Sequence, residues 1–239
     1  YEPGTNRSKT LELLQRPPGR RDELFMKKSG RYKTVHLIED QFEPGSNDQV
    51  LKNLLGITLP EEMDDSEAIA LKEATDKLVR KFNKSHRFTA ADICGFHKIW
   101  LSEIYEWAGK YRHVNISKGD FPFAAAIHIP SLMTQFERDI LTRNTPCNFK
   151  DSKEVIHALA ETHIELILIH PFREGNGRVA RILSTLMALQ AGLPLLDFGL
   201  ITVERKKEYF AAIQAGLDKN YEPMERLFSV IIERSGVFL

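Results

Sequence analysis

Apolar positions along this chain recur at the helical period over most of its length. After a polar opening, residues 47–56 ("NDQVLKNLLG") read as a first short helix, with Asn47 or Asp48 as its cap and Gly56 as its stop. "SEAIALKEATDKLVRKFN" places Ile69, Leu71, Ala74, Leu78 and Phe82 on one stripe behind a Ser66 cap. "TAADICGFHKIWLSEIYEW" opens on Thr89 with Asp92 three residues on, the spacing of a capping box. Beyond Pro130, Leu132, Phe136 and Ile140 line up. "SKEVIHALAETHIELILIH" is apolar nearly all round at its end, which predicts a central, buried helix. "GRVARILSTLMALQAG" predicts another, ending at Gly192 before Pro194, and "TVERKKEYFAAIQAGL" and "PMERLFSVIIERS" complete the set.

Strand patterns are scarce. The best is "HVNISKGDFPFAAAIHI", where Lys118–Gly119–Asp120 is turn chemistry between two β-prone arms. Pro122 argues for an edge or an exposed hairpin rather than a central strand. The predicted fold class is therefore all-α with one small β-hairpin. Residues 1–46 are polar, rich in Pro, Gly and Arg, and are read as an N-terminal arm packed on a main domain of residues 47–239, whose core spans about 89–192. "TLELLQ" reads as one or two helical turns and "YKTVHLI" as a short strand.

Composition changes little in this picture. With 239 residues, 42% hydrophobic and 28% charged, the chain is ordinary globular material. A formal net charge of zero gives no electrostatic case for nucleic-acid binding. Two distant cysteines, Cys94 and Cys147, suit neither a disulfide scaffold nor a cysteine zinc site. The longest apolar run is too short for a membrane span, and no secretory leader pattern is visible. The expectation is a cytoplasmic protein, with export as an effector left open.

The chemistry concentrates in "LILIHPFREGNGRVARIL", Leu166 to Leu183. A buried helix delivers His170 at its end, where Pro171 breaks the helical pattern and Phe172 pins the loop back into the core. Gly175 and Gly177 flank Asn176, allowing unusual backbone angles and close approach of a ligand to the main chain. Consecutive N–H groups at the start of the next helix are unpaired donors reinforced by the helix dipole. Arg178 and Arg181, three apart on its first turn, offer forked guanidinium groups to phosphate. An acid beside phosphates implies a divalent cation between them, which assigns Glu174 to Mg²⁺. His170, ordinarily titrating at about 6.5, is the natural proton acceptor. His157 and His163 form no zinc pair with their neighbours and read as packing residues.

"HPFREGNGRVAR" resembles the Fic family (filamentation induced by cyclic AMP), whose pattern H-x-F-x-[DE]-G-N-G-R-x-x-R is filled at His170, Phe172, Glu174, Gly175, Asn176, Gly177, Arg178 and Arg181. "FEPGSNDQVLKNLLGI" and "FHKIWLSEIYEWAGKYRHVNISKGDFPF" are similar to upstream segments of that family, so the likeness runs from about Phe42 to Gly192. It implies a helical Fic fold with a hairpin flap, and transfer of AMP from ATP to a Ser, Thr or Tyr hydroxyl of a target protein. It further implies His170 as general base and Glu174 as Mg²⁺ ligand. Gly175, Asn176 and Gly177 would cradle phosphates through backbone and amide donors, and Arg178 and Arg181 would bind the outer phosphates. The flap at 117–123, with Phe121 and Phe123, would clamp the target by strand addition. Alternatives within the resemblance are a Doc-like kinase, other nucleotidyl or phosphocholine transfer, de-adenylylation, or a non-catalytic interaction module. Ser229 and Glu233 have the spacing of the family's self-inhibitory motif, in which the glutamate contacts the second arginine. Inhibition by a separate antitoxin-like protein, and assembly as a homodimer, are both compatible with the sequence.

Overall fold

The computed structural model describes residues 37–236. The readings of "TLELLQ" and of most of "YKTVHLI" lie outside the described residues. Among the described residues, seven α-helices are eight or more residues long: α1 (Pro60–Lys81), α2 (Ala90–Leu101), α3 (Ile129–Phe136), α4 (Ser152–Ile169), α5 (Asn176–Gln190), α6 (Lys206–Ala215) and α7 (Glu222–Arg234). Between α2 and α3 lies a hairpin of β1 (Ser117–Lys118) and β2 (Phe121–Pro122), antiparallel, with Ser117 opposite Pro122 and Lys118 opposite Phe121. The two residues between them, Gly119 and Asp120, make the turn, and Gly119 takes a φ of +59°.

α4 is the axis of the bundle. From Val155 to Ile169 nearly every residue is buried, and it packs against α3, α5, α6 and α7. A helix apolar on all sides has nowhere else to go. α5 in turn packs on α2, which packs on α1. α2 starts where expected: the Thr89 side chain accepts from the Asp92 N–H and Asp92 reaches back to the Thr89 N–H.

Two expectations fail. Residues 47–56 form no helix. Asn47 and Asp48 take left-handed φ values of 54° and 59°, and Phe42 pairs with Leu51 in an isolated bridge. The Asn53 side chain then occupies four backbone partners: it accepts from the Leu55 and Ile57 N–H groups and donates to the Leu51 and Ile57 carbonyls. A side chain that satisfies the backbone this well competes directly with helix. The second failure is at Ser66, which caps nothing. Pro60, with its fixed φ, starts α1 six residues earlier, and the Ser66 hydroxyl donates to the Glu62 carbonyl inside the helix. The buried stripe is consequently Met63, Glu67, Ala74 and Leu78, while Ile69 is exposed. That offset puts a carboxylate, Glu67, into the interior.

Candidate active site

His170 closes α4 in a left-handed conformation, φ 53° and ψ 61°. Such a residue ends the helix and turns the chain back. Its backbone N–H still bonds the Leu166 carbonyl, and its ring Nδ1–H donates to the Ile167 carbonyl at 3.0 Å. This fixes the tautomer and leaves Nε2 as the basic nitrogen. The imidazole stacks on Phe123 of the hairpin, centroids 3.6 Å apart. Burial pushes its pKa down to about 4; the Ile167 hydrogen bond opposes this, while Arg112 and Lys118 add to it. The ring is therefore neutral at pH 7, which makes it a more persistent acceptor than an unshifted imidazole, though a weaker base.

The loop after His170 is held from inside. Phe172 is fully buried and stacks on His97 at 4.0 Å. The Gly109 N–H donates to His97 Nδ1 and His97 Nε2–H donates to the Glu174 carbonyl, so this second histidine ties α2 to the loop. The Asn176 amide takes the Phe172 N–H on its oxygen and donates to the Phe172 carbonyl, both at 2.8 Å. The expectation that this amide faces phosphate is not what the geometry gives: its side chain is buried and braces the loop. Gly175 has a φ of +82°, and a Cβ there would stand 2.5 Å from the Trp100 ring, so only glycine fits. Gly177 is different. It lies in α5, and its absent Cβ would meet only the end of Arg181, at 3.5 Å.

The two arginines diverge. Arg178 pairs with buried Glu67 at 2.6 Å, approaches Glu174 at 3.4 Å and lies over the Trp100 ring at 4.6 Å. Glu67 also accepts from the Tyr105 hydroxyl. Arg181 has no carboxylate partner among the described residues, and burial lowers its pKa. An unpaired, half-buried guanidinium is costly unless an anion arrives. Beside it, the N–H groups of Asn176, Gly177 and Arg178 open α5 with no acceptor among the described residues.

These groups line a cleft of about 810 Å³. His170, Glu174, Gly175, Asn176, Gly177, Arg178 and Arg181 all border it, with the hairpin on one side and Ile201, Lys206, Tyr209 and Phe210 of the α6 region on the other. Lys118 reaches across to the Phe210 ring, 4.2 Å from its centroid. Among the described residues Glu174 is the one acid on this wall, half-exposed, with Oε1 receiving the Gly175 N–H. A single accessible carboxylate beside an anion site fits Mg²⁺, which completes its shell with phosphate oxygens and water. Glu233 does not border the cleft; it is exposed on α7, so the expected contact with Arg181 is absent.

Sequence reasoning attached no role to Arg112, yet it is almost fully buried and donates to the His170, Val114 and Ala124 carbonyls. It thereby ties the base to both arms of the hairpin. Glu39, before the main domain as drawn from sequence, accepts the His113 N–H through its side chain and the Arg173 guanidinium through its carbonyl.

A neutral imidazole and a guanidinium border one cleft at the open N-terminus of a helix, an arrangement suited to an anionic substrate and acid–base chemistry. Residues 87–188 match the Fic/DOC family, and the chain carries a domain of that family. It is similar to the probable protein adenylyltransferase Fic of Salmonella typhimurium, 29% identical over 197 residues, covering 80% of this chain and 91% of that protein. It is also similar to the protein adenylyltransferase VbhT of Bartonella schoenbuchensis, 31% identical over 203 residues, and spans 39% of that protein's length. Among solved structures, the N-terminal Fic domain of a putative cell filamentation protein from Bartonella quintana, crystallised with bound ADP, aligns with a TM-score of 0.66 at 28% identity, covering 82% of this chain and 95% of that one.

Proposed function

We propose that this protein transfers AMP from ATP to a hydroxyl of a target protein. The observation that carries the proposal is the juxtaposition of His170 Nε2 with the open N-terminus of α5 and unpaired Arg181 across one cleft. The adenylyltransferase names of its relatives and the ADP held by a 28% identical Fic domain support the same reading.

In this mechanism the target hydroxyl docks beside Phe123 and passes its proton to His170 Nε2. The oxygen forms a bond to the α-phosphorus, and the bond from that phosphorus to the bridging α–β oxygen breaks. Pyrophosphate leaves with the charge it already carries, so no strong general acid is required. The α5 amides and Arg181 hold the phosphates. Glu174 would hold Mg²⁺, which would supply positive charge against the polyphosphate. Arg178 acts at one remove, positioned by Glu67 and Trp100. The exposed edges of the 117–122 hairpin offer backbone donors and acceptors to an extended target segment. A separate inhibitor, where one acts, would have to bring its own acid to Arg181, because Glu233 does not.

Labelled ATP tests the reaction class. Label from the α-phosphate should enter protein, and label from the γ-phosphate should not. The reverse pattern would replace AMP transfer by kinase chemistry on the same fold.

A further inference from the structure

The hairpin beside His170 is too small to hold itself. Its ladder has two residue pairs, Ser117 with Pro122 and Lys118 with Phe121, and even longer isolated two-stranded hairpins are marginal in water. Pro122 brings no N–H to that ladder. Below it the legs are joined by the Phe123 N–H, which donates to the Ile116 carbonyl, and by the Ala126 N–H, which donates to the Asn115 side chain. Arg112 supplies what is missing. Its Nη1 donates to the Val114 carbonyl at 2.5 Å and its Nη2 to the Ala124 carbonyl at 2.6 Å, so one planar group closes both legs. Its Nε donates to the His170 carbonyl at 2.8 Å, and its backbone N–H to the Pro171 carbonyl at 2.9 Å. Bonds from a charged donor are roughly twice as strong as neutral ones.

The choice of residue is informative. Arg112 is buried, and burial lowers its pKa to about 10. Among the described residues no carboxylate pairs with it. Glu39 supports its charge from further off and gives its own side chain to the His113 N–H. A buried cation answered by carbonyls alone is a poor device for stability, and an apolar side chain would pack as well at lower cost. All three side-chain bonds of Arg112 end on the hairpin legs or on His170. Arg112 does not border the cleft, so a nucleotide bound there would not touch it.

We infer that Arg112 is a positioning residue that orders the 114–124 hairpin in advance and fixes its distance from the His170 imidazole, so that a target strand pairing with the hairpin brings its hydroxyl to a base already in place. The consequence for transfer rests on the AMP-transfer reading; the clasp itself rests on the Arg112 bonds alone. The Phe123 ring stacked on His170 at 3.6 Å is the second link between hairpin and base, and it holds only while the legs stay closed. An edge ordered beforehand loses little freedom when the target arrives, and a fixed spacing keeps the reacting groups within reach of each other.

The test is Arg112→Lys in the full chain, which keeps the charge and removes the fork. Amide hydrogen exchange at Phe123 should quicken at least tenfold, while that at Leu168 in α4 and Ile182 in α5 stays within about twofold. The His170 Hε1 resonance, shielded by the stacked Phe123 ring, should move downfield. Entry of α-phosphate label into lysate protein should fall at least tenfold, with the Kd for Mg-ATP within about twofold. In the unaltered protein the Phe123 and Arg112 amides should open as one unit, with protection factors within about threefold; this decides the clasp even where the substituted chain does not fold. Hairpin exchange unmoved by the substitution, exchange quickened equally in the helices, ATP affinity lost in step with transfer, or full transfer from a loosened hairpin would each overturn the inference. An unaltered protein that transfers no α-label would instead sink the AMP-transfer reading, and the exchange and resonance data would still judge the clasp.

Discussion

Two histidines stand seven residues apart on α4, and burial depresses both. His163 sits mid-helix, its pKa pushed down to about 3; His170 sits at the end, pushed down to about 4. Both are neutral at pH 7. What separates them is the fate of the second ring nitrogen. The Ser184 hydroxyl donates to the Ala180 carbonyl, so its oxygen takes the His163 Nδ1–H, and His163 Nε2 accepts from the Tyr209 hydroxyl. Both nitrogens are used and the ring cements α4 to α5 and α6. His170 uses one nitrogen on its own helix and keeps the other for the cleft. A perturbed pKa therefore singles out neither; what differs is the helix end, which leaves one nitrogen of a buried ring for the cleft, and the role of base proposed for His170 rests on that difference.

The largest effect that could break this comparison is on transfer itself. His170→Ala is expected to lower AMP transfer by about 10²- to 10⁴-fold, the range for loss of a general base, with ATP affinity and unfolding midpoint little changed. His163→Ala should do the opposite: roughly 2–3 kcal/mol of stability lost by urea titration, and transfer per folded molecule within about threefold. Transfer that survives the first change, or vanishes in the folded second, removes the distinction.

The glycines sharpen the same contrast between packing and chemistry. Gly175→Ala combines a left-handed backbone with a collision against Trp100, and about 2–4 kcal/mol of destabilisation is expected. Gly177→Ala has helical backbone and no clash, so the fold should hold or gain slightly while nucleotide affinity falls, because the methyl group stands where phosphate must approach the amides. Calorimetric melting and nucleotide titration of the two variants read these effects separately.

The site loop was legible because its logic is local. An apolar run ends at His170, Pro171 stops the helix, and a glycine at position 175 permits the left-handed turn. The capping box at Thr89 was equally plain. Residues 47–56 misled because Val50, Leu51, Leu54 and Leu55 imitate a helical stripe, while the deciding bonds come from one asparagine side chain, Asn53. Glu67, His97 and Arg112 carried no visible role for a further reason. Each is a buried polar residue defined by partners far along the chain: Glu67 by Arg178, His97 by Glu174, Arg112 by His170. Spacing reports faces of an element, not which distant residue meets a buried charge.

Acid should expose the shared burial of these histidines. His97 and His170, both near 4, and His163, near 3, bind protons in the unfolded chain from about pH 6.5 downward but not in the folded one. The unfolded state thus gains protons first, and stability is full above about 6.5 and falls as pH drops toward 4. Each group contributes a slope of up to about 1.4 kcal/mol per pH unit. Urea midpoints at pH 7 and pH 5 measure the sum, and His163→Gln should flatten it by one group's share. A stability that does not fall over that interval would show these rings to be wetter than their geometry.

The smallest expected effect concerns the other half of α5's first turn, where Arg178 stands between two acids. Glu67 holds it at 2.6 Å and Glu174 waits at 3.4 Å. Removing one partner of a buried pair ordinarily destabilises by about 3–5 kcal/mol, because a charge is left alone. Here Arg178 is partly exposed and has a second carboxylate within reach, so Glu67→Gln should give a smaller loss and a change of partner instead. Once Arg178 turns to Glu174, the carboxylate assigned to Mg²⁺ is neutralised. The Mg²⁺ concentration for half-maximal transfer, and for Mn²⁺ binding to the nucleotide complex, should then rise about threefold to tenfold. Adding Arg178→Gln to the same variant takes away the competing cation and should bring the metal requirement back toward its starting value. A Mg²⁺ dependence unmoved by Glu67→Gln would mean that Glu67 braces the fold without deciding which acid the arginine serves.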